Sequence, residues 1–242
     1  MSNRIDRVVI TGASSGIGYD MAKRFLAEGS RVLLSGRDPQ KLERARRRLE
    51  GGPRAVAVAG HVGDPATARA IAAAAREQLG GIDVLVNNAG IFGVKPFLES
   101  TAEDLERFFE TNVRGTYLVT QAAVPIMIAG GGGSIINVGT TLVQQAMTTL
   151  PVSAAMASKG GVHALTVSLA AELARHGIRV NTLAPGIIRT PLIEDADSLA
   201  AIHPLQRVGE VAETSDAALY LARAAFVTGT TLDVDGGYSH GR

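Results

Sequence analysis

The sequence predicts an α/β fold in which a doubly wound parallel sheet of about seven strands is covered by helices on both faces. Three observations lead to it. Short β-branched runs alternate with longer, alanine-rich amphipathic segments, the runs are apolar on both sides, and a glycine-rich turn follows the first run. Strands of this kind belong in a sheet that is buried on both faces. The predicted strands are residues 7–11, 31–35, 54–59, 83–87, 134–138, 178–183 and 231–234, and helical period marks segments such as 66–79, 101–129 and 153–176.

Length and composition narrow the class of protein. The 242 residues contain no Pro/Ser-rich linker or tandem repeat, so one domain over residues 1–242 is expected. The absence of cysteine excludes disulfides and thiolate metal sites, and no metal site is predicted. A formal net charge of +1 argues against nucleic acid or an anionic membrane as the main partner. The basic run at residues 44–48 lies between Glu43 and Glu50 and is interpreted as a solvated helix face. With no apolar run of ~20 residues and no signal-peptide pattern, a cytoplasmic protein is expected.

The turn after the first strand has the composition of a phosphate-binding loop. Its glycines are spaced G-x-x-x-G-x-G and open directly into the first helix. Glycines let the backbone approach a pyrophosphate, and a helix N-terminus supplies free N–H donors and a positive dipole end. A glycine-rich turn without a ligand is the alternative. The residues assigned to cofactor binding here are Gly12, Ser14, Ser15, Gly16, Ile17 and Gly18.

The end of the second strand bears on the choice of dinucleotide. An acid there commonly accepts the ribose hydroxyls of NAD. Here Gly36 takes that place and Arg37 follows it. Glycine leaves room for a 2′-phosphate and arginine can pair with it, so NADP(H) is favoured and NAD(H) stays possible. Asp38 is expected to cap the helix that begins near Pro39.

The fourth strand ends in a second polar turn, "NNAG". Asn88, Ala89 and Gly90 lie at the carboxyl end of this strand, where open α/β sheets bind ligands. The turn alone is a weak signal. Combined with the glycine turn, it predicts the rest of a cofactor crevice.

Together these motifs resemble the short-chain dehydrogenase/reductase family, of its smaller, classical type. The resemblance runs over essentially the whole chain, through "TGASSGIG", "NNAG", "NVRG", "SIINVGT", "ASKGG", "IRVNTLAPGIIRT" and "FVTGTTLDVDGG". It implies a Rossmann-like sheet of seven strands, a nicotinamide cofactor, a small-molecule substrate and usually a homotetramer. We expect a homo-oligomer, tetramer or dimer, with segment 153–176 and the C-terminal strand at the interfaces.

The family transfers hydride between nicotinamide and a carbonyl or alcohol with an Asn–Ser–Tyr–Lys set. By position, the asparagine is Asn112, the lysine is Lys159 and the serine position is Thr140, with Thr141 as a second candidate. The tyrosine, which passes the proton, falls on Ala155, four residues before the lysine on one helical face. A general acid contributes about 10²–10⁴-fold, so ordinary ketone reduction should be weak. The lysine can persist because the resemblance also gives it a role in binding cofactor ribose.

Several groups are candidates to replace the tyrosine. They are Ser153, Thr140, Thr141 and a water relayed from Lys159. For Ser153 we favour a role as the N-cap of its helix. His163 lies on the same stripe, but about 12 Å from Ala155 at ~1.5 Å per residue, which is too far. The missing phenol is expected to leave a pocket beside Ala155.

The resemblance also assigns the remaining cofactor contacts. Where the family commonly has an aspartate at the adenine, this chain has His61, followed by Val62. The stretch "PGIIRT" is expected to meet the nicotinamide carboxamide, and residues of about 187–207 would form a mobile substrate lid. The residues of this stretch assigned to the cofactor are Pro185, Gly186, Ile188 and Thr190.

Three functions remain open at this point. The first is an NADP-dependent oxidoreductase with an unusual proton source, or one whose substrate is an iminium ion that already carries its proton. The second is a lyase or cyclase that uses nicotinamide as a scaffold. The third is a non-catalytic nucleotide-binding subunit. Asn112, Lys159 and "PGIIRT" favour the first two, and Thr140 in place of serine favours a natural variant over an introduced tyrosine-to-alanine change.

Overall fold

The protein is built on one seven-stranded parallel sheet. The structure, a computed structural model, describes residues 5–191, 193 and 195–240. The strand order is β3-β2-β1-β4-β5-β6-β7. The switch point lies between β1 and β4: β2 and β3 are added on one side of β1, and β4 to β7 follow on the other, all parallel. This confirms the predicted fold class. The strands are β1 Arg7–Thr11, β2 Arg31–Gly36, β3 Ala55–Ala59, β4 Val84–Asn87, β5 Gly133–Val138, β6 Ile178–Pro185 and β7 Thr231–Val234.

In the described part of the chain, seven α-helices cover the two faces of the sheet. Successive strand residues face opposite cores: Val8 and Ile10 pack with α1, α2 and α7, whereas Val9 packs with α3, α5 and α6. This is why the strands are apolar on both sides. The helices are α1 Gly16–Ala27, α2 Pro39–Arg48, α3 Pro65–Ala74, α4 Ala102–Phe108, α5 Gly115–Ala129, α6 Ser153–Leu173 and α7 Val211–Arg223.

The predicted cap of α2 is confirmed. Asp38 Oδ1 accepts hydrogen bonds from the backbone N–H groups two and three residues on, both at 2.9 Å. Glu43 receives hydrogen bonds from Arg46 and Arg47, which hold the pKa of its carboxyl at about 2. The basic run is therefore a surface helix face with its own counter-charge, as predicted.

Two of the predicted helical segments differ in detail from those observed. Segment 101–129 contains α4 and α5 joined by the π-helical turn Phe109–Arg114, and segment 66–79 begins one residue earlier and ends in the π-helical turn Ala75–Leu79. The capping role expected for Ser153 is wrong. The helix begins at Ser153 itself, the N-cap position is Val152, and no side chain caps it.

A ladder of buried polar side chains crosses the middle of the sheet. Asn87 Nδ2 donates to Thr120 Oγ1 and to Asn137 Oδ1, both at 2.9 Å. Asn137 Nδ2 donates to Thr166 Oγ1, which also accepts from Thr182 Oγ1, again at 2.9 Å. All five side chains are buried, and the ladder ties β4, β5 and β6 to α5 and α6.

The segment at about 187–207, predicted as a lid, lies over the ends of β6 and β7. Ile188 in this segment forms an isolated parallel bridge with Gly209 beyond it, and the 3₁₀ helix Ala196–Ile202 lies within it. Arg189 pairs with Asp197 at 2.6 Å and with Glu210 at 2.9 Å. Residues 192 and 194 of the predicted lid lie outside the described residues, as do residues 1–4 and 241–242 of the predicted domain. Within the described chain, no helix is both long and apolar enough to cross a membrane.

Candidate active site

The glycine turn between β1 and α1 has the backbone that its sequence predicts. Gly12 and Gly16 have φ values of +66° and +56°, which side-chain-bearing residues rarely adopt. Gly18 is required for a different reason: a Cβ there would lie 2.4 Å from Asn88 Nδ2 and 2.6 Å from the carbonyl oxygen of Gly12. The turn is thus pressed against the "NNAG" segment. Ser15 is exposed before α1, Ser14 is half-buried and Ile17 packs against the core.

A reciprocal set of hydrogen bonds joins the glycine turn to the end of β4. Thr11 Oγ1 accepts from the backbone N–H groups of Asn88 and Ala89, at 3.1 and 3.0 Å. Asn88 Nδ2 donates to the carbonyl oxygens of Thr11 and Gly12, both at 3.0 Å. Sequence reasoning assigned Asn88 and missed Thr11. The position of Thr11 as the last residue of β1, immediately before the glycine turn, is the sequence feature that could have identified it.

The end of β2 lies beside the glycine turn. A Cβ on Gly36 would lie 3.5 Å from Ser14 Cβ, which is an ordinary contact distance, so the end of β2 adjoins the glycine turn. Arg37 follows and its side chain is exposed. Within the described ranges, Arg37 takes part in none of the ion pairs. Its guanidinium is therefore available to an external anion.

His61 and Val62 lie at the next strand end, but His61 is engaged inside the protein. Its Nδ1 accepts from the backbone N–H of Gly63 at 3.1 Å, and its Nε2 lies 3.3 Å from Thr111 Oγ1. Val62 is buried against Gly115, where a Cβ would come within 2.5 Å of it. The imidazole therefore braces β3 against the π-helical turn.

Three predicted residues converge at the end of β4. A Cβ on Gly90 would lie 3.1 Å from Lys159 Nζ and 3.2 Å from Asn112 Oδ1. Lys159 comes from α6 and donates to the carbonyl oxygen of Val138 at 2.8 Å. Burial of the amine lowers the pKa of Lys159 to about 8. Elements distant in sequence thus bring a cation and an amide to one point of the crevice.

The orientation of Asn112 is fixed by hydrogen bonds on both sides of its amide. Oδ1 accepts from the backbone N–H of Ile91 at 2.8 Å, and Nδ2 donates to the Ile91 carbonyl at 3.0 Å. Nδ2 also donates to Ser158 Oγ at 2.8 Å, and Ser158 Oγ donates to the carbonyl oxygen of Ala155 at 2.7 Å. Asn112 therefore joins the loop after β4 to the turn of α6 that carries Ala155.

The surroundings of Ala155 differ from the expected pocket. Ala155 is 1% exposed, so solvent does not reach its methyl group and an open pocket beside it is a wrong prediction for this conformation. Thr140 is half-buried, and its Oγ1 accepts from the backbone N–H of Leu142 at 3.3 Å. Thr141 is fully buried and donates to the carbonyl oxygen of Pro185 at 3.4 Å. Ser153 is exposed.

His163 occupies a separate position, one helical turn beyond Lys159. Its Nε2 is enclosed without a hydrogen-bond partner among the described residues, and a Cβ on Gly139 would lie 2.4 Å from it. Desolvation lowers the pKa of the imidazole, the charge of Lys159 lowers it further, and Asp233 opposes both. The ring is thus half-buried against Gly139, beside the end of β5.

The "PGIIRT" segment closes the crevice from the β6 side. A Cβ on Gly16 would lie 3.6 Å from Thr190 Cβ, and a Cβ on Gly186 would lie 2.9 Å from the backbone of Asp235. Ile188 is buried and Pro185 ends β6. A neighbouring cleft of about 440 Å³ separates the loop before α6 from the segment 187–207. Its lining residues are Met147, Thr148, Thr149, Ala201, Ile202, Pro204, Gln206 and Tyr238.

The glycine turn at the switch point of a doubly wound sheet defines a dinucleotide-binding α/β protein. A family model described as enoyl-(acyl carrier protein) reductase matches residues 12–239. Galactitol 2-dehydrogenase (L-tagatose-forming) from Cereibacter sphaeroides is 38% identical, over 95% of this chain and 93% of its own. 2-(R)-hydroxypropyl-CoM dehydrogenase from Xanthobacter autotrophicus is 37% identical, over 96% and 97%. A short-chain type dehydrogenase/reductase from Mycobacterium marinum superposes with a TM-score of 0.92, at 37% identity and coverages of 97% and 96%. The chain belongs to the short-chain dehydrogenase/reductase family and is an oxidoreductase of that type.

Proposed function

We propose that the protein is a cytoplasmic, NADP(H)-dependent oxidoreductase whose active site works without the family's tyrosine. It transfers hydride to or from a carbonyl/alcohol or imine substrate. The observation that carries this proposal is the convergence of Gly90, Asn112 and Lys159 at the carboxyl end of β4. A subunit that only bound nucleotide would need the lysine for the cofactor ribose, but not an amide held in place beside it. The relatives named above are dehydrogenases, which supports the same reaction type.

The crevice fits a nicotinamide dinucleotide. The glycine turn and the N-terminus of α1 would hold the pyrophosphate, since Gly12 and Gly16 have left-handed φ values and leave the backbone of the turn without side chains. Arg37 would pair with a 2′-phosphate, Lys159 would bind the nicotinamide ribose, and the segment from Pro185 to Thr190 would meet the carboxamide. The bound cofactor supplies or accepts the hydride. His61, which is half-buried, and Val62 would lie beside the adenine at the end of β3.

The cleft between the loop before α6 and the segment 187–207 is our candidate for substrate binding. Threonine hydroxyls, an amide and apolar side chains line it, whereas Arg189 and Arg207 are held by acidic partners. Such a lining suits an uncharged substrate with hydroxyl groups. The segment 187–207 would act as its lid.

An imine substrate is the second candidate, and Ala155 is the observation in its favour. An iminium ion already carries its proton, so hydride addition gives a neutral amine with no acid from the protein. A ketone needs that proton from another group. The two candidates therefore differ in how they respond to a phenol at position 155.

The cofactor preference is tested by titrating NADPH and NADH against wild type, Arg37→Ala and the control Arg76→Ala, which removes an exposed arginine from another part of the surface. Losing a charge-assisted pair worth about 1.5–3 kcal/mol should weaken NADPH binding roughly 10- to 150-fold. NADH binding should change little, and the control should match wild type. Equal affinities for both cofactors, unaltered by Arg37→Ala, would contradict the NADP assignment.

The substrate class is tested by cofactor oxidation over a panel of ketones and preformed cyclic imines. Ala155→Tyr should raise ketone reduction and obstruct imine reduction, while Ala157→Tyr adds the same phenol at an exposed position of α6. Because Ala155 is enclosed, the added ring will also cost stability, roughly 1–3 kcal/mol. Rapid ketone reduction by wild type, indifferent to Ala155→Tyr, would show that the alanine is not the distinguishing feature.

A homo-oligomer is part of the proposal. Val167 on α6 is 60% exposed, and Phe226, just before β7, is fully exposed. Val167 lies on one of the two predicted interface elements and Phe226 lies in the loop that leads to the other, so these exposed apolar side chains support self-association. The remaining expectation is that the interfaces follow α6 and β7.

A further inference from the structure

A carbonyl reductase without the tyrosine needs another source for the proton that the product alcohol gains. We propose that Lys159 is this source: its ammonium group releases the proton in carbonyl reduction and recovers it in alcohol oxidation. The inference rests on the function proposed above and adds a role that ribose binding alone does not give the lysine.

The hydrogen bonds around the site exclude the Asn112 amide and the Thr141 hydroxyl as proton sources. Asn112 is held by Ile91 and Ser158 through both amide atoms, and an amide does not titrate in the range of interest. Thr141 is fully buried and donates to Pro185. Thr140 can orient a substrate oxygen, but an alcohol cannot release a net proton near neutral pH. A titratable group is required.

Lys159 and His163 are the titratable side chains on this stripe of α6. His163 lies two turns from Ala155, and its Nε2 is enclosed against Gly139. Lys159 lies one turn from Ala155, about 6 Å along the axis at ~1.5 Å per residue. Its ammonium has three N–H donors, of which the described residues use one, to the Val138 carbonyl. Lys159 therefore lies nearer to Ala155 than His163 does, and it has further N–H groups with which to donate to a substrate or a water molecule.

The elements packed around Lys159 determine how readily it gives up a proton. The end of β5 presents the Val138 carbonyl, the π-helical turn presents the Asn112 amide, the loop after β4 presents Gly90, and α6 itself presents His163. Of these groups only His163 titrates, and no carboxylate is among them. Desolvation lowers the pKa of Lys159 to about 8, close to the operating range of a general acid.

The step balances as follows for reduction. The carbonyl carbon gains a hydride, with its two electrons, from the reduced nicotinamide cofactor. An Nζ–H bond of Lys159 breaks, one water molecule carries the proton, and the O–H bond of the alcohol forms. Lys159 is left as a neutral amine and regains its proton from solvent before the next turnover.

The first test follows the rate of hydride transfer to a ketone at saturating NADPH from pH 6 to 10. Wild type should be fastest below pH 8 and should lose about tenfold per unit above the pKa, because the protonated amine is the reactive form. Lys159→Arg keeps the charge and donors but cannot release a proton, so its rate should be flat with pH and lower by about 10²–10⁴-fold. Fluorescence titration establishes that this variant still binds NADPH.

The second test needs no turnover. Competitive labelling of the amines with an acylating reagent, read by peptide mass spectrometry, gives a protonation midpoint for Lys159, with the exposed Lys41 as internal control. The midpoint should lie near 8 and should agree with the kinetic limb.

The outcomes separate this inference from the proposed function. Ketone reduction that survives Lys159→Arg within about fivefold, or a wild-type rate with no limb at the labelling midpoint, overturns the role of Lys159 and leaves the oxidoreductase assignment standing. If the enzyme reduces preformed iminium ions but no ketone, the role of Lys159 is likewise overturned and the oxidoreductase assignment stands. If NADPH binds and no carbonyl or imine is reduced, the oxidoreductase proposal fails, and this inference fails with it.

Discussion

Replacing Thr11 by valine should destabilise the protein and the cofactor crevice together. Valine has nearly the shape of threonine, so the packing of this buried, 2% exposed side chain is kept. What is lost is the acceptor for the backbone N–H groups of Asn88 and Ala89. The donors of Asn88 to the Thr11 and Gly12 carbonyls then act alone in holding the turn.

The size of the effect follows from those contacts. Each buried N–H group left without a partner costs about 1–3 kcal/mol. Asn88 and Ala89 are half-buried, so water can reach them in part and the lower half of the range applies, about 2–4 kcal/mol in total. For a chain of this length, roughly 2–4 °C per kcal/mol gives a fall in Tm of about 4–16 °C.

Thermal and urea unfolding of wild type, Thr11→Val and Thr11→Ser would measure this. Serine retains the hydroxyl and loses one methyl group, so it should cost about 1 kcal/mol and preserve NADPH affinity. Valine should lower both stability and NADPH affinity. A valine variant within about 0.5 kcal/mol of wild type, or one less harmful than serine, would refute the reasoning.

Three further predictions concern other parts of the molecule. The hydrogen bond from Lys95 holds the pKa of Asp104 at about 2, below its ordinary 3.8. The ionised carboxylate therefore stabilises the folded protein above pH 4, and this contribution is lost as the pH falls towards 2. Asp104→Asn should flatten the dependence of Tm on pH over that window. Gly139→Ala should cost roughly 1–3 kcal/mol, and a double-mutant cycle should show this cost shrinking when His163→Ala removes the ring; equal costs would contradict the clash. Sedimentation should give a multiple of 25.1 kDa, reduced by Val167→Glu, whereas a monomer at micromolar concentration would argue against assembly.

The strands could be predicted because their chemistry is local. Val8, Val9 and Ile10 form a continuous apolar run, so both faces of this strand are apolar. In an α/β chain that pattern is typical of a parallel strand buried between two layers of helices. The start of α6 could not be predicted to the residue. Serine is a frequent N-cap, but here the backbone of Val152 takes that position and Ser153 is already helical. The π-helical turn Phe109–Arg114 has no signature in residue type and was expected as continuous helix.

The site was predictable where a motif required glycine or an amide, and less so where side chains from distant segments meet. Gly18 and Asn88 were assigned from their motifs, and they touch in the structure. The inward turn of His61 towards Thr111 depends on a helix 50 residues away, which periodicity does not reveal. The enclosure of Ala155 likewise depends on how the loops pack over it.

The polar ladder across β4, β5 and β6 has a consequence for which sheets this chain can form. Asn87 faces Asn137 in the parallel register, and a slip of one residue would turn either amide into the opposite, apolar core. An apolar side chain could move to the opposite core at little cost in free energy, but an amide buried there would lose its hydrogen-bond partners. The ladder therefore selects one alignment during folding. That alignment decides where each strand ends, and so brings the segments that follow β4, β5 and β6 to the same edge of the sheet.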